Sequence, residues 1–295
     1  MKLSLVLAYF FGLISLVTIA VVAIFMSLPD PQSLKGCITT VLYHVYLCET
    51  SPHYISLDQI SPNIIGAVVM SEDASFYSHP GVDIEEMKIS LRKDLNEHRF
   101  ARGASTITQQ LAKNVFLSKE KSLLRKVEEI YLAFQLEKYF TKAKILTDYL
   151  NVVEFADGVY GVKDACDHYF KKLPSEVTPE EGAFLAFLLP NPKKYSQSFT
   201  RRQLTPFAEK TIKTILHKMQ LGHKITSEEY VAAIARVPMF PWDGTTAPGV
   251  SADGVPGESA TPMDDSVGDE DNFNFDFKPE DEVPSEGEPT PQDFK

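Results

Sequence analysis

From Leu3 to Leu28 the chain runs for 26 residues without a charge, most of them Leu, Val, Ile, Phe or Ala. At about 1.5 Å of rise per residue, a helix of that length exceeds the roughly 30 Å hydrocarbon core of a bilayer. A cleaved signal peptide would carry a shorter apolar region, about 7–15 residues, ending in a small-x-small site. Phe25-Met26-Ser27-Leu28-Pro29 offers no such site, so residues 3–28 read as an uncleaved transmembrane anchor. Lys2 lies on the short side, and Lys35 is the only Lys or Arg between Pro29 and Thr50. On that small difference the positive-inside rule puts the N-terminus in the cytoplasm and the body outside.

Charge divides the rest. The chain holds 40 Asp and Glu against 29 Lys and Arg, a net charge of −11. Pro241 to Lys295 carries 15 of the acids and only two lysines, which leaves 27 basic and 25 acidic residues before it. The acidity therefore belongs to residues 241–295, a stretch rich in Pro, Gly and Ser without helical or strand period, which reads as a disordered tail. Phe273, Phe275 and Phe277 within it are either a docking motif or incidental. No basic surface for nucleic acid follows from this balance.

Residues 29–55 read as a juxtamembrane linker. Cys37 and Cys48 flank a stretch of β-formers there, which leaves open a disulfide closing a small hairpin and a pair of free thiols. Cys166 reads as a small buried residue. Residues 56–240 read as helix after helix, a mainly α domain. Ser61-Pro62 opens one helix, and Ser105 is placed to cap another running to Phe116. Ser122 opens a third, in which Leu123, Val127, Ile130, Tyr131 and Phe134 recur at helical spacing. Thr178-Pro179-Glu180-Glu181 fits a capping box before a buried helix to Leu189, and Thr226 with Glu229 repeats the signal.

Three stretches carry polar groups that a fold alone does not require. Glu72 and Asp73 end the first of these helices, where carboxylates oppose the macrodipole. Thr106, Gln110 and Lys113 share one helical face, with donors suited to sugar and phosphate oxygens, although a solvated face has the same pattern. Arg125 and Glu129 are spaced for a surface ion pair. From Lys88 to Lys126 there are ten basic and three acidic residues, a local excess that attracts an anionic headgroup or phosphate.

In order, the chain shows E-D-x-x-F-x-x-H-x-G at Glu72 to Gly81, G-x-S-T-I-T-Q-Q at Gly103 to Gln110, R-K-x-x-E at Arg125 to Glu129, and K-x-x-I-L-x-x-Y-L-N at Lys142 to Asn151. With these motifs residues 56–196 resemble the family 51 glycosyltransferases, the peptidoglycan polymerases, especially the monofunctional membrane-anchored kind. Ala156 stands where that pattern has glycine and Thr147 where an acid is common.

The resemblance implies a lysozyme-like helical fold at the bacterial inner membrane, single-pass, with its catalytic domain on the periplasmic side. The implied substrates are lipid II and the growing glycan strand. It makes Glu72 the base, with Asp73 beside it raising its pKa by like-charge repulsion. Glu129 becomes the second carboxylate on the leaving side, acting through neighbouring cations or a bound divalent metal (Mg or Mn), two alternatives the sequence leaves open. Lys113, Arg125 and Lys126 become a pyrophosphate clamp. Ser105, Thr106, Gln109 and Gln110 position sugar and phosphate, and Asn151 supports them from behind. Phe76, His79, Gly81 and Gly103 shape the motif turns. Through the tail, other cell-wall synthesis or division proteins are candidate partners. A lysozyme-like hydrolase and an inactive anchored adaptor are the rival readings. Ser118-Lys119-Glu120-Lys121 matches S-x-x-K without its companion motifs and reads as coincidence.

Overall fold

In the computed structural model, residues 2–97, 105–120 and 122–242 are described, some helical side chains excepted. Gly103 and residues 243–295, including the phenylalanines of the tail, lie outside them. The chain begins with α1 (Lys2–Met26) and a small antiparallel hairpin, β1 (Ile38–Thr39) with β2 (Tyr46–Leu47). The helical body follows as α2 (Pro62–Glu72), α3 (Ile84–Glu97), α4 (Ile107–Phe116), α5 (Leu123–Tyr139) and α6 (Lys142–Val152). A second two-stranded ribbon, β3 (Glu154–Ala156) with β4 (Val159–Tyr160), leads into α7 (Val162–Phe170) and α8 (Pro179–Leu188). Two single turns, α9 (Pro192–Tyr195) and α10 (Gln197–Thr200), precede α11 (Pro206–Leu221) and α12 (Ser227–Arg236).

The expected mainly helical class is therefore observed. Among the described residues no helix is long and apolar enough to cross a membrane. α1, part of whose side chains lie outside them, is helical throughout its 25 residues.

α8 is the centre of the body: every residue from Pro179 to Leu188 is buried. Of the expected capping box one half is made: Thr178 N–H donates to the Glu181 carboxylate at 2.9 Å, whereas the Thr178 hydroxyl is buried without a partner among the described residues. It packs against α2 so closely that a Cβ on Gly182 would lie 2.8 Å from the Asn63 carbonyl oxygen. α11 closes the other side through Ala208, Ile212, Ile215, Leu216 and Met219. Pro241 and Trp242, read from sequence as the start of the tail, still pack here: Trp242 lies against Phe184 and Phe240 and donates to the Arg236 carbonyl at 2.7 Å.

Cys37 and Cys48 are joined across the first hairpin, and Cys166 is free and buried. The same hairpin docks on the C-terminal end of α4, with Val41 and Leu42 N–H donating to the carbonyls of Val115 and Asn114. That end of a helix has carbonyls without intrahelical partners, so the hairpin acts as its cap.

One expectation is corrected. The cap of α4 is Thr106, not Ser105: its hydroxyl accepts from Gln109 N–H and the Gln109 side chain accepts from Thr106 N–H. A threonine followed three residues later by glutamine satisfies two orphan donors, where Ser105 would satisfy one. In α5 the helical spacing leaves the facing of the apolar stripe open, and most of it faces outward, with Tyr131 packed against the core. Leu123 is 89 % exposed and Val127 49 %, and Phe134 is also exposed, whereas Glu129, Leu132, Ala133 and Leu136 are buried.

Candidate active site

Glu72 is the last residue of α2, and Asp73 is its C-cap. The Glu72 carboxylate accepts from Gln110 Nε2 at 2.8 Å, and the carbonyl of that amide accepts from the Tyr149 hydroxyl at 3.1 Å. Burial pushes the Glu72 carboxyl above the usual glutamate range. The Gln110 bond and then Lys113 and Lys218 pull against that shift, while Asp73 is the smallest contributor. Like-charge repulsion from Asp73, expected from adjacency, is thus secondary.

Asp73 is a buttress. Its Oδ2 accepts from the N–H of Ile107, the first residue of α4, and its Oδ1 pairs with His79 Nε2 at 2.8 Å. His79 Nδ1 accepts from Gly81 N–H at 3.1 Å, which leaves Nε2 to donate to Asp73. Gly81 has φ +98, and a Cβ there would lie 3.0 Å from the Ala133 carbonyl oxygen, so both conformation and space call for glycine. Phe76 is fully buried, with Lys142 Nζ 4.3 Å from its ring centre. These residues fasten α2, α4 and α5 to one another just behind Glu72.

A second cluster forms between α4 and α5. Glu129 is buried, and its two oxygens are taken by Arg125 Nη1 at 3.2 Å and Lys126 Nζ at 2.5 Å. Lys126 Nζ also donates to Ser105 Oγ at 2.8 Å. The pair read from spacing as a surface contact is thus the interior of a three-residue ion cluster. Lys113 lies between the two carboxylates electrostatically: burial lowers its pKa, while Glu129 first and Glu72 after it act to raise it. With both Glu129 oxygens engaged by cations, and no three His, Cys, Asp or Glu converging among the described residues, the groups present do not fit a metal cage.

Several predicted site residues point elsewhere. Thr106 donates to the Gly81 carbonyl at 2.6 Å, and Gln109 is fully buried within the cap. Asn151 commits both N–H bonds to the carbonyls of Ile55 and Thr147 and accepts from Ile55 N–H. All three hold backbone in place.

The family described as Transglycosylase matches residues 40–220. The chain belongs to that family. It is 40 % identical to the biosynthetic peptidoglycan transglycosylase of Nitrosomonas eutropha over 56 % of this chain and 66 % of that protein. Identity to the Cupriavidus metallidurans protein of the same name is 41 % (52 % of this chain, 66 % of that one) and to the Ralstonia nicotianae one 42 % (52 % and 70 %). The chain thus spans about two thirds of the length of the curated relatives it matches.

The transglycosylase motifs did not point to everything at this site. Glu72 also lines an open cleft together with Phe187, Tyr195, Phe207, Thr211 and Lys218 among others. Burial lowers the Lys218 pKa and Glu72 opposes the shift. These residues come mainly from α9 and α11, outside the quoted motifs. Thr205-Pro206, with Ile212, Ile215, Leu216 and Met219 at helical spacing, was the available signal for α11.

Proposed function

We propose that this chain is a membrane-anchored peptidoglycan glycosyltransferase that joins lipid II units into glycan strands with inversion at the anomeric carbon. The acceptor 4-hydroxyl forms a bond to C1 of the donor sugar and gives its proton to Glu72. The C1–oxygen bond to the lipid pyrophosphate breaks, and the pyrophosphate leaves with the electron pair. An alcohol is a poor nucleophile, so a carboxylate whose pKa lies nearer neutrality is a better partner than an ordinary glutamate. The leaving group is already an acid and needs charge neutralisation more than a proton. Arg125, Lys126 and Lys113 supply it, and Glu129 holds the first two in place.

The observation that carries this reading is that the start of α4 links the base to the cation cluster: Gln110 donates to Glu72 at 2.8 Å, and Ser105, just ahead of the helix, accepts from Lys126, which pairs with Glu129. Arg125 Nε adds support: it is buried and has no protein partner among the described residues, a donor that a phosphate oxygen would satisfy. The relatives' name, biosynthetic peptidoglycan transglycosylase, supports the same substrate class.

We assign the catalytic domain to the periplasmic side of the bacterial inner membrane, with α1 as its anchor. The outward stripe of α5 favours this. Leu123, Leu124, Val127 and Phe134 form an exposed apolar face, and Phe25 near the end of α1 meets Tyr131 of α5 with ring centres 4.8 Å apart. Anchor and stripe thus share a side, as a lipid-facing surface would.

The test is chain growth from purified lipid II with wild type, Glu72→Gln and Glu129→Gln. Wild type is expected to extend chains, and loss of the base should slow growth by about 10²-fold or more. Glu129→Gln should weaken the cation cluster and lower the rate as well. Shortening of preformed polymer without growth would favour a hydrolase, and unchanged growth with Glu72→Gln would remove the base assignment.

A further inference from the structure

Behind Glu72 three elements are connected by a single line of hydrogen bonds. Tyr149, on α6 and fully buried, donates to Gln110 Oε1 on α4, and Gln110 Nε2 donates to Glu72 Oε2 at the end of α2. We propose that Tyr149 is a positioning residue for the base: its hydroxyl fixes the Gln110 amide so that the N–H side, not the carbonyl, faces Glu72. That Glu72 is the base rests on the function proposed above; the effect on the Gln110 amide does not.

A glutamine amide offers two donors at one end and an acceptor at the other, in nearly the same shape. Two arrangements of the line exist. In the observed one Glu72 accepts from the Gln110 amide, which it can do while ionised, and the Gln110 carbonyl accepts from Tyr149. In the reversed one the carbonyl faces Glu72, which must then be protonated to donate to it, and the amide N–H donates to the Tyr149 oxygen. The phenolic proton would then have no acceptor among the described residues, since its bond to Gln110 is the only one there. A buried donor without a partner is costly. The hydroxyl therefore selects the arrangement that stabilises ionised Glu72.

The groups around the carboxylate make this selection consequential. Gln110 and Lys113 face it from α4, Lys218 from α11 and Asp73 from the next position in the chain, while Tyr149 reaches it through Gln110. Burial is the main influence raising the Glu72 pKa, and the Gln110 hydrogen bond is the largest one opposing it. Tyr149 suits the role because burial, followed by the nearby Glu72 and Asp73 charges, holds its pKa well above that of ordinary tyrosine. It remains a donor across the working range.

The experiment uses the full chain in detergent as wild type, Tyr149→Phe, Gln110→Leu and the double variant. Lipid II polymerisation is followed from pH 5 to 9, and the Glu72 carboxyl is titrated directly by 13C NMR, assigned with Glu72→Gln. In Tyr149→Phe we expect KM within about twofold, kcat lower by about tenfold, and an acidic limb of kcat/KM moved upward by up to about one pH unit. The NMR midpoint of Glu72 should move upward in parallel. Gln110→Leu alone should raise that midpoint at least as far, and adding Tyr149→Phe to it should change nothing more. An unmoved Glu72 midpoint in folded Tyr149→Phe overturns the proposal. So does a smaller rise in Gln110→Leu, or full additivity in the double variant. If wild type fails to polymerise, the proposed function falls while the carboxyl titration still decides the role of Tyr149.

Discussion

Glu72, the base in the proposed function, works against the fold that contains it. Its carboxyl is pushed up by burial, so ionising it costs more in the folded chain than in the unfolded one. A carboxylate with a raised folded pKa contributes its full stability below the ordinary glutamate range and loses it as pH rises through the raised value. Glu72→Gln, which cannot ionise, is therefore expected to melt at a higher temperature than wild type at pH 8, with the gap closing below pH of about 4. Thermal unfolding at both pH values checks this, and a wild type that melts higher at pH 8 would contradict it. The same residue sets an activity limit. Growth should fall on acidification at a pH above the usual glutamate range, because the base must be ionised to accept a proton.

At the scale of elements, the contact between α2 and α8 leaves no room for growth. A methyl at Gly182 meets the Asn63 oxygen and carbon at 2.8 and 2.9 Å, both of them backbone atoms. Gly182→Ala should cost about 1–3 kcal/mol, the range for overpacking, and should lower activity only as far as it displaces Glu72 at the end of α2. Denaturant unfolding measures the first effect. Most helices were legible from their caps: Ser61, Ser122, Thr178 and Thr226 all open the helices expected of them. The facing of the α5 stripe was not legible, because periodicity reports that a helix has an apolar face without saying what covers it. Leu123 and Val127 answer to a surface, while the face carrying Glu129 is the one turned inward. The proposed function uses the motif acids as the motifs suggested, but the motif hydroxyls and amides divide between two tasks that spacing cannot separate. Gln110 reaches Glu72, whereas Thr106 and Gln109 are consumed by the α4 cap. Lys218 escaped notice because it meets Glu72 only through tertiary packing of α11.

For the molecule as a whole, the net charge of −11 comes from residues 241–295, which carry 15 acids and two lysines. Removing the residues after Trp242 should leave the melting temperature and lipid II polymerisation unchanged in vitro. Ending the chain before Phe240 should lower the melting temperature, because Phe240 and Trp242 pack on Phe184. A large loss of activity on removing only the residues after Trp242 would make the acidic segment part of the catalytic unit. The N-terminal side has a different character. α1 ends at Met26, Leu28 packs on the core, and Pro31 and Leu34 are already buried. The connection from helix to body is therefore a stiff mount with almost no slack. On the membrane reading, such a mount reduces the search for substrate from a volume to a plane. Donor and acceptor are met by lateral diffusion at one fixed height, and the finished strand, not the enzyme, has to move away.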